Sequence, residues 1–170
     1  KKKSEYWNNG TINWVGSGVC KDQKIFSTEK FITEEGLNNS SARVFPIGTT
    51  FIALVGATIG KTAFSMFETS TNQNIAGLVS KDTENLDPSF LFYVSQTLYK
   101  QFIDLGEGKF RMANSSFVRN LKIPVPPLTT QRQVVKEFEE LEQIVEGNKK
   151  LIEIYNQKIQ YRISKVWGEN

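Results

Sequence analysis

The stretch IPVPPLTTQ, residues 123–131, divides this chain into two regions with different grammars. Three prolines within four residues, Pro124, Pro126 and Pro127, cannot sit inside a helix or a central strand, so the stretch reads as an extended connector. Immediately after it, Thr130 and Gln133 have the S/T-x-x-E/Q spacing of a capping box, which predicts a helix start.

Downstream, apolar residues recur at alternating intervals of three and four: Val134, Phe138, Leu141, Val145, then Ile152, Tyr155, Ile159 and Val166. Asn148 and Arg162 occupy the two remaining seam positions, and the register runs unbroken for more than four heptads. The pattern is that of a coiled coil. A helix over about residues 130–167 would be ~57 Å long at ~1.5 Å per residue, beyond the ~30 Å of a small domain, and needs another chain or another copy to pack against. Gly147 beside Asn148 leaves a helical hairpin as the alternative, while the unbroken register favours one helix with Asn148 setting the pairing register. Nothing along this helix is catalytic, and its simplest reading is an oligomerisation device.

Upstream, short strand candidates (TINWVG, RVFPIG, TFIALVG, TAFSMF, NIAGLVS) alternate with Gly, Asn and Ser turns. One helix is predicted from Asp87-Pro88 through SFLFYVSQTLYKQFIDLG, with Asp87 as N-cap, Pro88 at the first helical position and Gly106 as the stop. Leu91, Val94, Leu98 and Phe102 form its apolar face. The expected fold class is therefore α+β: a mixed-sheet body of short strands with a packed helix over residues 1–128, then a long coiled-coil-forming helix over residues 129–170.

At 170 residues and 39% hydrophobic content the chain can support a real core. No run reaches the ~18 apolar residues of a membrane span and no apolar segment follows the N-terminal lysines, so the expected location is cytoplasmic. A single cysteine, Cys20, excludes an internal disulfide, and the absence of histidine excludes both a Cys/His zinc site and imidazole catalysis. The net charge is +3. All of the excess lies in residues 1–128, with 14 Lys/Arg against 11 Asp/Glu, while residues 129–170 hold seven of each. A modest excess of this kind is compatible with a polyanionic partner.

Gly56 to Thr62, GATIGKT, resembles a phosphate-binding loop but has three residues where that loop requires four before Gly-Lys-Ser/Thr. Val55 stands where the first glycine belongs, and the following AFSMFETSTNQN alternates like a strand where a helix should begin. These departures argue against an NTPase. No nuclease-type acid cluster, Rossmann loop or nucleophile elbow appears either.

The body does carry three loops rich in side chains that read base edges: LNNSSARVF with Arg43, ETSTNQNIAG with Asn72 and Gln73, and GEGKFRMANSS with Lys109, Arg111 and Asn114. Arg and Lys contact guanine and phosphate, and Asn and Gln contact adenine. Taken one loop at a time, the same Asn, Ser and Gly residues are simply good turn formers.

In order and spacing, YWNNGTINWV, FIALVGATIGKTAF, TNQNIAGL and NLKIPVPPLTTQRQVVKEFEELEQIVEGNKKL together resemble one half of the DNA-specificity (S) subunit of type I restriction–modification enzymes. The I-P-x-P-P-L-x-x-Q segment entering a long helix is the most specific part. The resemblance implies a noncatalytic target recognition domain that reads half of a bipartite site in double-stranded DNA. It also implies a helix that pairs with a second recognition domain or, in a homodimer, with itself. Methyltransferase (M) subunits would dock around the helices and a restriction (R) subunit would join them; S-adenosylmethionine, ATP and Mg are expected only in those partners, and none in this chain. GATIGKT becomes the family's strand–turn–strand segment, with Lys61 left free to meet phosphate. The expected DNA contacts are thus Arg43, Lys61, Asn72, Gln73, Lys109, Arg111 and Asn114, with Lys109 and Arg111 as base readers. The resemblance further implies an earlier strand and a Gly-x-T-P turn upstream of KKKSEYW, and so a truncated N-terminus. From the residues alone, a coiled-coil scaffold or adaptor, or the specificity segment of a fused single-chain restriction–methylation enzyme, remains open.

Overall fold

The structure is a computed structural model that describes residues 3–105 and 112–168. It divides into two compact units, Lys1–Gln131 and Arg132–Asn170. The fold is α+β, as expected.

Among the described residues, eight short strands build the first unit: β1 (Ile12–Val15), β2 (Gln23–Ile25), β3 (Phe31–Ile32), β4 (Val44–Phe45), β5 (Thr50–Ala53), β6 (Thr62–Ser65), β7 (Thr69–Thr71) and β8 (Ile75–Leu78). They form two four-stranded sheets, in the orders β3-β1-β7-β4 and β2-β6-β5-β8. Both are mixed, because β1 runs parallel to β7 and β2 parallel to β6 while the other pairs are antiparallel. The strands β2 and β3 lie outside the sequence expectation, each spanning only two or three residues, while β7 falls within AFSMFETSTNQN, whose alternation is strand-like, but is not among the strand candidates.

The run FIALV is continuously apolar because β5 is covered on both faces. Phe51 and Ala53 join a core cluster with Val15, Cys20, Ile25, Ala63 and Ile75. Ile52 and Leu54 point the other way, into a second cluster with Leu98, Phe102, Ala113 and Val118. Five helices follow in chain order: α1 (Glu34–Asn38) lies against β3, α2 (Pro88–Gln96) lies against β5 and β6, α3 (Tyr99–Ile103) and α4 (Ser115–Asn120) contribute Phe102 and Val118 to the second cluster, and the long α5 (Leu128–Trp167) comes last among the described residues. The Asp87 carboxylate accepts hydrogen bonds from the backbone N–H groups of Ser89 and Phe90, and Pro88 opens α2, as the sequence predicts.

The helix predicted as one piece from Pro88 onward is two. The Ser95 hydroxyl donates to the Leu91 carbonyl and the Thr97 hydroxyl to the Val94 carbonyl, while the Thr97 and Leu98 amides reach back only three residues. Hydroxyls competing for helical carbonyls tighten the last turn and end α2 at Gln96. The expected stop, Gly106, lies outside the described residues.

The capping box is not used either. Helix α5 begins two residues earlier, at Leu128, where the Pro127 carbonyl accepts from the amides of Thr130 and Gln131. The Gln133 amide turns forward to Glu137 instead of back to Thr130. From there α5 is continuous for 40 residues, through Gly147, where a Cβ would meet nothing within 4 Å. It ends at Gly168, whose φ of +71° is the usual left-handed helix stop. Gln131 is the only buried residue of α5; Val134 is half-buried, and the apolar seam residues from Phe138 onward stay exposed, Ile152 by 60% and Tyr155 by 56%. Among the described residues no helix is long and apolar enough to cross a membrane.

Candidate nucleic-acid interface

The GATIGKT turn joins β5 to β6. Gly56 and Gly60 take φ values of +78° and +74°, and β6 starts at Thr62 with no helix behind the glycines. A Cβ on Gly60 would stand 2.7 Å from the Cβ of Phe102, so this glycine also lets α3 approach the turn.

Lys61 is not free to meet phosphate, contrary to the expectation from sequence. Its Nζ lies 2.6 Å from Asp22 Oδ2 and 4.7 Å from the centroid of the Tyr99 ring. The hydrogen bond to Asp22 holds the ammonium's pKa above its ordinary value against partial burial. Asp22 Oδ1 also accepts from the Thr62 amide and hydroxyl, so the pair fastens this turn to the loop before β2. Close by, burial first and the Asp22 carboxylate second push the Cys20 thiol up to about 12. That thiol is inert at neutral pH.

Three of the expected DNA contacts do converge. Arg43, Asn72 and Gln73 line one groove of about 530 Å³, together with Ser41, Ser115 and Arg119. Phe45, Ile75, Gly77 and Val118 are among the residues that make its apolar floor. Gly77 is required there, because any Cβ would fall 2.4 Å from the Phe45 ring. The β7–β8 turn is shaped by the Asn72 side chain, whose oxygen accepts from the Asn74 amide, leaving Gln73 exposed at the tip. Arg43 is exposed just ahead of β4.

Arg119 was not anticipated, although the signal was in the sequence: four residues after Ser115, it shares that residue's face of α4. Its Nε donates to the Ser115 carbonyl, leaving the rest of the guanidinium fork to the groove. Among the described residues no carboxylate forms a salt bridge with Arg43 or Arg119. The groove thus offers two cations and two amides along a concave floor, which suits an anion that carries hydrogen-bonding edges.

Asn114 has a local task. Its side-chain oxygen accepts from the Phe117 amide at 2.8 Å and caps α4, so it is a helix cap beside the groove and not one of its lining residues. Lys109 and Arg111 lie outside the described residues.

The family model described as the type I restriction modification DNA specificity domain matches residues 1–156. Two curated relatives align with almost the whole chain. One is the type I restriction enzyme MjaIX specificity subunit of Methanocaldococcus jannaschii, 26% identical over 98% of this chain and 39% of its own length. The other is the EcoR124I/EcoR124II specificity subunit of Escherichia coli, 23% identical over 95% of this chain and 42% of its own length. The chain therefore spans about two-fifths of each. Among solved structures, the HsdS subunit from Thermoanaerobacter tengcongensis has the same fold, with a TM-score of 0.64 at 21% identity over 89% of this chain and 35% of that one. A chain from a type I R-M system in a study of complex assembly and conformational transition gives a TM-score of 0.67, also at 21% identity.

Proposed function

Because the chain belongs to the type I restriction modification DNA specificity domain family, we propose that its first unit reads one half of a bipartite site in double-stranded DNA through the groove between the β7–β8 turn and α4. The observation that carries this reading is the convergence of Arg43, Asn72, Gln73 and Arg119 on one concave surface. The arginines supply phosphate contact and orientation, and Gln73, exposed at the turn tip, supplies contact with a base edge.

In this reading the chain is a noncatalytic recognition component working in the cytoplasm. Methyl transfer from S-adenosylmethionine belongs to M subunits, and ATP- and Mg-dependent cleavage to an R subunit. The relatives named as specificity subunits support that division of labour. The seam of α5 is the element that joins this recognition unit to a second one.

The test is binding of the chain to a randomised duplex library at several salt concentrations, followed by sequencing of the bound fraction. Salt-dependent binding with an enriched motif, altered by Gln73→Ala, is the expected result. Binding without salt dependence, or no binding at all, would favour an adaptor whose body contacts protein.

A further inference from the structure

We propose that Met112 reads the C5-methyl group of a thymine, and so requires an A·T pair within the half-site. The inference rests on the reading of the first unit as a DNA reader, and it names a specificity residue beside the groove.

Met112 is 74% exposed, the most exposed large apolar side chain among the described residues of the first unit. Its backbone is nonetheless fixed. Met112 pairs with Val55 in an antiparallel bridge, the Ala113 amide donates to the Leu54 carbonyl at 2.8 Å, and the Asn114 side chain caps α4 directly afterwards. In such an extended segment neighbouring side chains take opposite faces. Ala113 is buried in the second core cluster, which turns Met112 out into solvent.

The same hydrogen bonds tie Met112 to the groove. Leu54 lies between two backbones: its amide donates to the Asn74 carbonyl, in the turn that carries Gln73, and its carbonyl accepts from Ala113. Leu54 and Ser115 both line the groove, and Met112 stands beside the first and three residues ahead of the second. The next most exposed apolar residues of this unit, Phe26 and Ile47, lie at the opposite end of the sheet. There the Met66 amide donates to the Ile25 carbonyl and the Gly48 amide to the Ser65 carbonyl, where β2 and β6 finish.

A residue held this way has one apolar partner on a DNA edge. Every base pair offers hydrogen-bonding groups in the major groove, and the thymine C5-methyl is the apolar group among them. Arg43, Gln73 and Arg119 answer the polar groups and the phosphates. Met112 answers the methyl, because an unbranched thioether chain adapts its shape to a small apolar partner and the contact leaves no hydrogen-bonding group unpaired. The Gln73 turn and the Met112 segment flank Leu54, so they are two strand spacings apart, ~10 Å. At ~3.4 Å per base step, the thymine lies about three base pairs from the base that Gln73 contacts.

The experiment takes the motif that the full chain selects from the randomised duplex library and replaces its thymines one at a time by deoxyuridine. This removes the methyl group and leaves the hydrogen-bonding edges intact. Fluorescence anisotropy is expected to show one position, about three base pairs from the one relaxed by Gln73→Ala, where the replacement weakens binding about four-fold. In Met112→Ala the parent duplex should already bind about four-fold more weakly, with no further loss on replacement. Met112→Leu, which keeps an apolar chain, should retain the discrimination. The slope of log affinity against log salt should match the wild type in both variants, since no phosphate contact is removed. A motif without an A·T pair, binding that no deoxyuridine weakens, or a loss that persists undiminished in Met112→Ala would overturn the methyl contact and leave the recognition reading standing. Failure to bind any duplex would overturn the recognition reading and the inference with it.

Discussion

The side-chain oxygen of Gln131 accepts a hydrogen bond from the Asp87 amide at 2.9 Å, across 44 positions of sequence. Asp87 is the residue whose carboxylate caps α2. The Gln131 amide nitrogen donates to the carbonyls of Asn85 at 2.8 Å and Pro126 at 2.7 Å, and the side chain is fully buried. One glutamine thus satisfies three backbone groups and fixes the first turn of α5 to the loop that starts α2.

Replacing Gln131 by Ala strands those three groups. With each buried orphan costing about 1 kcal/mol or more, unfolding in urea should show a loss of about 3 kcal/mol. Gln131→Glu keeps an acceptor for Asp87 but cannot donate to either carbonyl, so it should be destabilised to a similar degree. A change under about 0.5 kcal/mol for Gln131→Ala, within the range of an ordinary surface substitution, would contradict the anchoring role.

The two positive-φ glycines of GATIGKT should differ sharply. Gly56 has open space around its would-be Cβ, so Gly56→Ala pays only the left-handed backbone, about 1 kcal/mol. Gly60→Ala adds a collision with Phe102 and should cost about 3 kcal/mol. Thermal unfolding of the two variants compares them directly. Equal costs would mean that α3 does not hold Phe102 against the turn.

For the groove, Arg43→Ala and Arg119→Ala should each weaken every DNA sequence and reduce the slope of log affinity against log salt by about one. Lys61→Ala should leave that slope unchanged, because Asp22 already neutralises the ammonium. Its effect should appear in stability instead, at about 1 kcal/mol or below for an ion pair this exposed. Fluorescence anisotropy titrations across salt concentrations separate the three variants, and a flattened slope for Lys61→Ala would return that residue to the interface.

Cys20 makes a pH prediction. Its thiol ionises near 12 in the folded chain and near its ordinary 9.0 when unfolded. The folded state therefore holds its proton longer, and stability declines as pH rises above about 9, by up to ~1.4 kcal/mol per pH unit from this group. Comparing the pH dependence of unfolding with that of Cys20→Ala isolates the contribution. Alkylation of the native thiol at pH 8 should proceed only as fast as the chain opens.

Local patterns were legible without coordinates. The heptad seam, the proline connector, the Asp87-Pro88 helix start and the apolar run of β5 are written in residues within a turn or two of one another, where helical and strand periodicity set which side chains share a face. The failed NTPase motif was legible for the same reason, since its spacing and the missing helix are local facts. The strands β2 and β3 were not, because two or three residues carry little period of their own and are held in place by the neighbours they pair with.

The tertiary structure decided the partners. Lys61 and Asp22 stand 39 positions apart, and only the packing of the loop before β2 against the β5–β6 turn turned a lysine that looked free into an ion pair. Arg43, Gln73 and Arg119 come from three separate segments, and the placement of β4, the β7–β8 turn and α4 made them one groove. Side-chain identity is a local property of the chain, whereas the neighbour that claims a side chain is set by the closure of long loops. Sequence alone therefore determined the division into a short-stranded body and a heptad helix, and the fold determined which of its polar residues are claimed by a neighbour and which line the groove.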